Sequence, residues 1–337
     1  MIRTWNAKGR GKVNNNTVVS SEYFINHNCI SCGWASPYFE FKDYVVNFET
    51  YKEKWIELYG QKQYWNNQGV HHLFESVQKG DFIWTRVGGV YFVAEISDDP
   101  INLFNIDDSQ EAIDFDCVVQ LKNIKWIKCG TEESVPGSVS TFTSNRNSLV
   151  RVDNKESQQN GYTATSIFSD QIVHPNKKVF IRDRRMILNL VGPSGFEDLV
   201  ALWLYDKFNY IVIPSTNKKS TQTYEFVLLD GTKSNSGYTS KKRIYIQAKN
   251  GPQDLKFEEY KYLLEQASDE LWLVTSGGRI FDSSDRTETE QILRYKINNG
   301  SIEKESFNII ELVHFVFNSS KIAILPNQII MLTEMFE

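Results

Sequence analysis

Aromatic and β-branched runs with period-two alternation dominate residues 1–152 of this chain. Segments 81–86 and 90–96 read as strands joined across Gly88-Gly89, a strong hairpin signal. Segments 117–121 and 124–127 continue the β pattern, and 51–59 and 71–77 read as short helices. The expected first half is therefore α+β, built around a strongly curved sheet or small barrel. Periodicity fails over 153–178, where the polar run 154–161 and the break at Pro175-Asn176 predict a linker.

A different rhythm begins at residue 179. Phe196, Leu199, Val200, Trp203 and Leu204 form an apolar stripe at helical spacing over 195–208. Strands follow at 210–214, 224–229 and 243–249, then a helix at 256–267. The wholly apolar strand 271–274 has the character of a buried central strand, and a late helix covers 309–317. The order α-β-β-β-α-β predicts an α/β unit over 179–337. Within 243–249, Ile244, Ile246 and Ala248 share one face, so Tyr245, Gln247 and Lys249 must share the other.

Composition narrows the class. A chain of 337 residues is long for one core, and 41% hydrophobic with 13% aromatic residues excludes disordered and fibrous classes. No run approaches the ~18–20 apolar residues of a membrane span and the N-terminus has no apolar signal region, so a cytoplasmic protein is expected. Four cysteines are too few for a disulfide framework. Cys29 and Cys32 have metal-knuckle spacing, but Cys117 and Cys129 make no second knuckle, so buried thiols are the better reading. A net charge of −5 argues against indiscriminate nucleic-acid binding. It leaves room for local basic clusters such as Lys218-Lys219 and Lys241-Lys242-Arg243, which flank the strands of the second half.

The second half also carries candidate chemistry. Cleaving a phosphodiester requires a metal to offset phosphate charge and activate water, and magnesium takes oxygen ligands. Glu225 alternates with Tyr224 and Phe226 and can point away from the face they share. Lys249 could orient the attacking water or stabilise developing charge, and Gln247 could position water or backbone. Glu197 could bind the metal or support its ligands. Each has a structural alternative: Ser194 and Glu197 match a helix capping box, and the strand residues could be solvent-facing. Asp230 is a second candidate ligand should Glu225 turn away.

Gly195-Phe196-Glu197, Tyr224-Glu225-Phe226-Val227 and Ile246-Gln247-Ala248-Lys249 together resemble the PD-(D/E)XK nuclease superfamily, specifically its Mrr-like restriction-endonuclease branch. The resemblance covers about residues 180–280. It implies a restriction-endonuclease-like fold and a phosphodiesterase dependent on Mg²⁺ (or Mn²⁺). Glu225 and Gln247 would lie nearest the metal, Lys249 at the water, and Glu197 would support them as a further ligand. One departure stands out: the family usually has Asp where this chain has Glu225.

Residues 1–152 resemble PUA-like domains of the EVE and YTH type, on segments 80–86, 89–96 and 135–139. The resemblance implies a reader of modified bases. Such readers hold a base by aromatic stacking and polar contacts to its edge. Trp5 and Asn6 are the first candidates, with Trp34, Trp84 and Tyr91 beside them, although any of these aromatics could be core instead. Lys8, Arg10 and Lys12 would contact phosphate near that pocket, as Lys241, Lys242 and Arg243 would near the nuclease site. The combined expectation is a modification-dependent DNA endonuclease of the restriction or phage-defence type, with a homodimer favoured for double-strand cleavage. The alternatives are a catalytically inactive protein that binds modified DNA or RNA, and a helper in a larger complex.

Overall fold

The structure is a computed structural model describing residues 2–13, 16–60, 65–66, 68–140, 148–153, 161–177, 181–216, 224–235, 237–238, 242–264, 269–282, 287–288 and 290–336. It divides into two units, Met1–Val179 and Phe180–Glu337. Among the described residues no single helix is long and apolar enough to cross a membrane.

The first unit centres on a five-stranded sheet. Its strands are β1 (Thr4–Ala7), β2 (Phe82–Val87), β3 (Val90–Glu95), β4 (Ile127–Gly130) and β5 (Leu149–Arg151), in the order β5-β1-β2-β3-β4. Only β1 and β2 run parallel. Gly88 and Gly89 both take positive φ, 55° and 85°, the two-residue turn whose twist matches that of the strands it joins. Strands Ile30–Ser31, Phe104–Ile106 and Val119–Leu121 form a separate three-stranded sheet. The barrel expected from the sequence is thus not one continuous ladder among the described residues.

One face of the five-stranded sheet, with Trp5, Ala7, Ile83 and Ala94, packs into an aromatic core. Tyr23 and Phe24 of a helix at Ser20–His27 and Tyr51 and Trp55 of another at Phe48–Tyr59 complete that core. The stretch expected to be a linker, 153–178, is instead largely part of this unit. Asp153 is buried and accepts from Thr4 N at 3.0 Å and Thr163 Oγ1 at 2.9 Å. Thr163 and Ser166 then form a reciprocal capping box that starts a helix at Ala164–Val173. Of the polar run 154–161 only Gly161 lies among the described residues, and the packed helix that follows begins from the polar caps Thr163 and Ser166.

The second unit is built on a six-stranded mixed sheet. Its strands are β6 (Tyr210–Val212), β7 (Phe226–Asp230), β8 (Arg243–Lys249), β9 (Glu270–Thr275), β10 (Ile292–Asn298) and β11 (Ser301–Phe307), hydrogen-bonded in chain order. The β8–β9 pair is parallel and the others are antiparallel. Every residue of β9 is buried, as its apolar run predicts for a central strand. The β10–β11 hairpin, absent from the sequence reading, turns at Asn299-Gly300 with φ of 50° and 77°. The helix expected over 256–267 is realised only at Phe257–Tyr260 followed by a 3₁₀ turn at Lys261–Leu263; residues 265–268 lie outside the described set.

Glu270 opens β9 as a fully buried carboxylate. It accepts from Tyr210 Oη at 3.0 Å, Arg294 Nε at 2.9 Å and Trp272 Nε1 at 3.3 Å, and pairs with Lys242 Nζ and Arg294 Nη2. Burial pushes this carboxyl up, but hydrogen bonds and charge from Arg294 and Lys242 outweigh burial and hold it below its ordinary value. Lys242 is therefore committed to the fold, which corrects its assignment to phosphate.

A carboxyl so held takes up its proton at lower pH than it does in the unfolded chain. Its contribution to stability is complete above the ordinary glutamate value of about 4.3 and is lost as pH falls through the lower folded value. Glu270→Gln is expected to lower stability at neutral pH by about 3–5 kcal/mol. It should also flatten the acid limb of the urea midpoint plotted against pH. Acid limbs of equal slope in the two proteins would contradict that role.

Candidate active site

Register assembles the first group of candidates. Phe226 of β7 pairs with Ile246 of β8, and Glu225 N donates to Ile246 O at 2.8 Å. This puts Glu225 beside Gln247 at one end of the sheet. Lys249 Nζ donates to Glu225 Oε1 at 2.5 Å and Gln247 Nε2 donates to the same oxygen at 3.2 Å. Gln247 is buried, Glu225 is 13% exposed and Lys249 is 32% exposed at the side chain, so the cluster has one solvent-reaching member. Tyr260 lies close enough that Glu225, after burial and Glu259, helps push its phenol up.

Backbone contacts fix the far end of β8. Ser276 N donates to Lys249 O at 3.0 Å and Gly251 N to Ser276 Oγ at 2.7 Å, while Asn250 Nδ2 donates to Leu188 O. Lys249 therefore projects from an anchored strand end. Asp230 sits at the other end of β7, its Oδ1 accepting from Thr232 N at 2.9 Å, and is not needed as a substitute ligand.

Glu197 lies on the helix Gly192–Phe208. That helix begins at Val191 without a side-chain cap, so Ser194 and Glu197 are interior and the capping-box alternative fails. Its Trp203 packs on Trp272 at 5.9 Å, so the helix covers the face carrying Ile246 and Trp272, opposite Gln247 and Lys249. The bond from Asn250 to Leu188 sets the N-terminal end of the helix at the Lys249 end of the sheet. Gly195 permits a close approach there: a Cβ would lie 2.9 Å from Val191 Cβ and 3.3 Å from Gln328 Nε2. Glu197 is half-buried and makes other interactions. Among the described residues no three His, Cys, Asp or Glu side chains are grouped to hold a metal, so Glu197 and Glu225 belong to no such cluster.

The donor set nevertheless suits a hard cation. Gln247 Oε1 is buried and has no hydrogen-bond partner among the described residues, and it belongs to the same amide that touches Glu225. A buried unpaired acceptor costs about 1–3 kcal/mol unless something fills it. With the Glu225 carboxylate it offers two protein oxygens, and Mg²⁺ commonly takes its remaining ligands from water and substrate phosphate.

The first-unit candidates separate into two groups. Trp5 and Trp84 are core residues, which corrects their assignment to a base pocket. Trp5 is 5% exposed and donates to Asp81 Oδ2 at 2.9 Å. Trp84 is fully buried, donates to Ser169 Oγ at 2.9 Å and stacks on Phe168 at 6.3 Å. Trp34 packs edge-on against Trp55 and Tyr59, and so also belongs to the core rim.

Asn6, Lys8, Arg10 and Tyr91 instead line a cavity of about 340 Å³ together with Arg86 and Ser140, although Asn6 and Tyr91 are themselves buried, 8% and 3% exposed. Its lining among the described residues contains no Asp or Glu. Asn6 Nδ2 donates to Val139 O at 3.3 Å, and Arg86 lies 5.7 Å from the Tyr91 ring and donates to its Oη at 3.4 Å. Arg86 was missed in the sequence. Its signal was alternation, because it pairs with Tyr91 across the hairpin and so shares its face. Arg243 is exposed and makes other interactions, whereas the Lys12 side chain and Lys218, Lys219 and Lys241 lie outside the described residues.

Comparison with known protein families, with characterised proteins and with solved structures returns no match for this chain.

The division between core and cavity is measurable. Trp84→Ala is expected to lower unfolding free energy by about 3–5 kcal/mol in urea titrations. Arg10→Ala should stay within about 0.5 kcal/mol of wild type. An unchanged midpoint for Trp84→Ala would return that ring to the list of ligand-facing residues.

Proposed function

We propose that the chain is a modification-dependent DNA endonuclease of the restriction or phage-defence type, acting in the cytoplasm and hydrolysing phosphodiesters with Mg²⁺ or Mn²⁺. One observation carries the reading: Glu225, Gln247 and Lys249 converge at the end of a mixed sheet, with Gln247 Oε1 buried and unpaired. The PD-(D/E)XK resemblance of the same residues supports it.

Glu225 and Gln247 Oε1 would hold the cation, which when bound offsets charge on the scissile phosphate and acidifies water. The Gln247 amide, locked by burial, orients the Glu225 carboxylate through its Nε2. Lys249 Nζ, the solvent-reaching member, can leave Glu225 to hydrogen-bond the attacking water or a phosphate oxygen. There it would stabilise negative charge as it develops. The anchored turn after Lys249 limits the reorganisation this requires.

Supporting a nucleic-acid substrate, the first unit has a cationic cavity large enough for a small ligand. Asn6 and the Tyr91 phenol would contact a base edge, with Lys8, Arg10 and Arg86 at phosphate. One centre per chain cuts one strand, so a homodimer would be the cutting form on duplex DNA. The second reading is a protein that binds modified DNA or RNA without cutting. It is favoured by Glu225 standing where the resembled family has Asp, and by the ion pair that occupies Glu225.

With Mg²⁺ or Mn²⁺, the purified protein is expected to nick base-modified phage DNA. Lys249→Ala and Glu225→Ala should each slow single-turnover cleavage on the order of a thousandfold while leaving gel-shift affinity nearly unchanged. Intact DNA across a panel of modified and unmodified substrates that the protein binds would favour the binding-only reading.

A further inference from the structure

The charges in the second-unit centre point to how its cation is gated. Glu225 contributes one negative charge, Lys249 one positive charge, and Gln247 none. Tyr260, the neighbouring phenol, adds no charge near neutral pH. The nearby Glu259 is solvent-exposed and faces Lys256 at 3.7 Å. Glu197 sits on the helix that covers the opposite face of the sheet. Among the described residues the immediate donor set thus sums to zero, and its carboxylate, Glu225, is already engaged by an ammonium group.

We propose that Gln247 keeps this centre too poor in negative charge to retain a divalent cation alone, so that the cation is held only together with a nucleic-acid phosphate. This rests on the nuclease reading given above. A dication entering the free protein meets one carboxylate and is opposed by the Lys249 ammonium at short range, where charge repulsion is strong. The amide oxygen of Gln247 can act as a ligand, but it adds a dipole rather than a charge. An arriving phosphodiester changes both terms: it supplies an anionic oxygen to the cation and an alternative partner to Lys249. The consequence is a centre that assembles on substrate and stays metal-poor away from it. Gln247 is on this account a positioning and gating residue.

The test is Mn²⁺ binding by full-length protein, followed by the loss of the free-ion electron paramagnetic resonance signal, with Glu225→Gln as the blank at every step. In the absence of DNA, Gln247→Glu should bind Mn²⁺ at least about tenfold more tightly than wild type, and Lys249→Met should move in the same direction. Saturating duplex DNA should bring wild type up to the affinity of free Gln247→Glu, because phosphate then supplies the missing charge. Unaltered circular dichroism would establish that the variants are folded. Wild-type protein that binds Mn²⁺ as tightly as Gln247→Glu without DNA would overturn the gating while leaving the metal centre intact. Mn²⁺ binding no better than the blank in every protein, with and without DNA, would remove the nuclease reading and the gating with it.

Discussion

The register between β7 and β8 is the constraint on which the second unit depends. Ile244, Ile246 and Ala248 are buried under the helix that carries Trp203, and this fixes Tyr245, Gln247 and Lys249 on the opposite face. Pairing Phe226 with Ile246 then leaves Glu225 beside Gln247 and within reach of Lys249. A slip of one residue would exchange the faces, turning Lys249 under the helix and Ile246 away from it, so hydrophobic burial enforces the geometry of the polar cluster. The same burial raises the penalty on Gln247 Oε1, a buried acceptor for which no donor is found among the described residues.

Two carboxylate systems in this unit, one buried and one partly exposed, have different partners. Glu270 is surrounded by Arg294, Lys242, Tyr210 and Trp272, and its hydrogen-bonding capacity is filled from within the protein. Such a site holds strands together and leaves nothing for a ligand. Glu225 has Lys249 and Gln247, both reaching the same oxygen. Satisfaction of polar groups, rather than the mere presence of charge, separates the structural carboxylate from the candidate catalytic one. Parallel β8 and β9 place Ile244 opposite Glu270 and Lys249 opposite Thr275, so the two systems occupy opposite ends of the sheet.

Local pattern made several elements legible. Strand β8 has the bounds expected from alternation, and Gly88-Gly89 gave the first-unit hairpin because its turn chemistry is specific. The same logic applies to Asn299-Gly300, which was passed over because β11 is almost wholly exposed and lacks an apolar alternation. The helix at Ala164–Val173 was lost within polar sequence whose Thr163 and Ser166 serve as caps. Aromatic identity alone could not distinguish Trp84 from Tyr91. They share a sheet face, and what separates them is the packing of Phe168 and Ser169 over one and a cavity beside the other. Long-range partners of this kind, like Tyr210, Lys242 and Arg294 around Glu270, have no signature at fixed sequence spacing.

The most direct measurement is anomalous diffraction from crystals of the protein grown with duplex DNA and Mn²⁺. If Glu225, Gln247 and Lys249 form the hydrolytic centre, a peak lies within about 2.0–2.6 Å of a Glu225 carboxylate oxygen, with Gln247 Oε1 and a DNA phosphate oxygen completing its protein and substrate ligands. Lys249 is then found away from Glu225 and at the scissile group. A DNA complex with no Mn²⁺ at Glu225, and with the Lys249–Glu225 pair still closed, would contradict it.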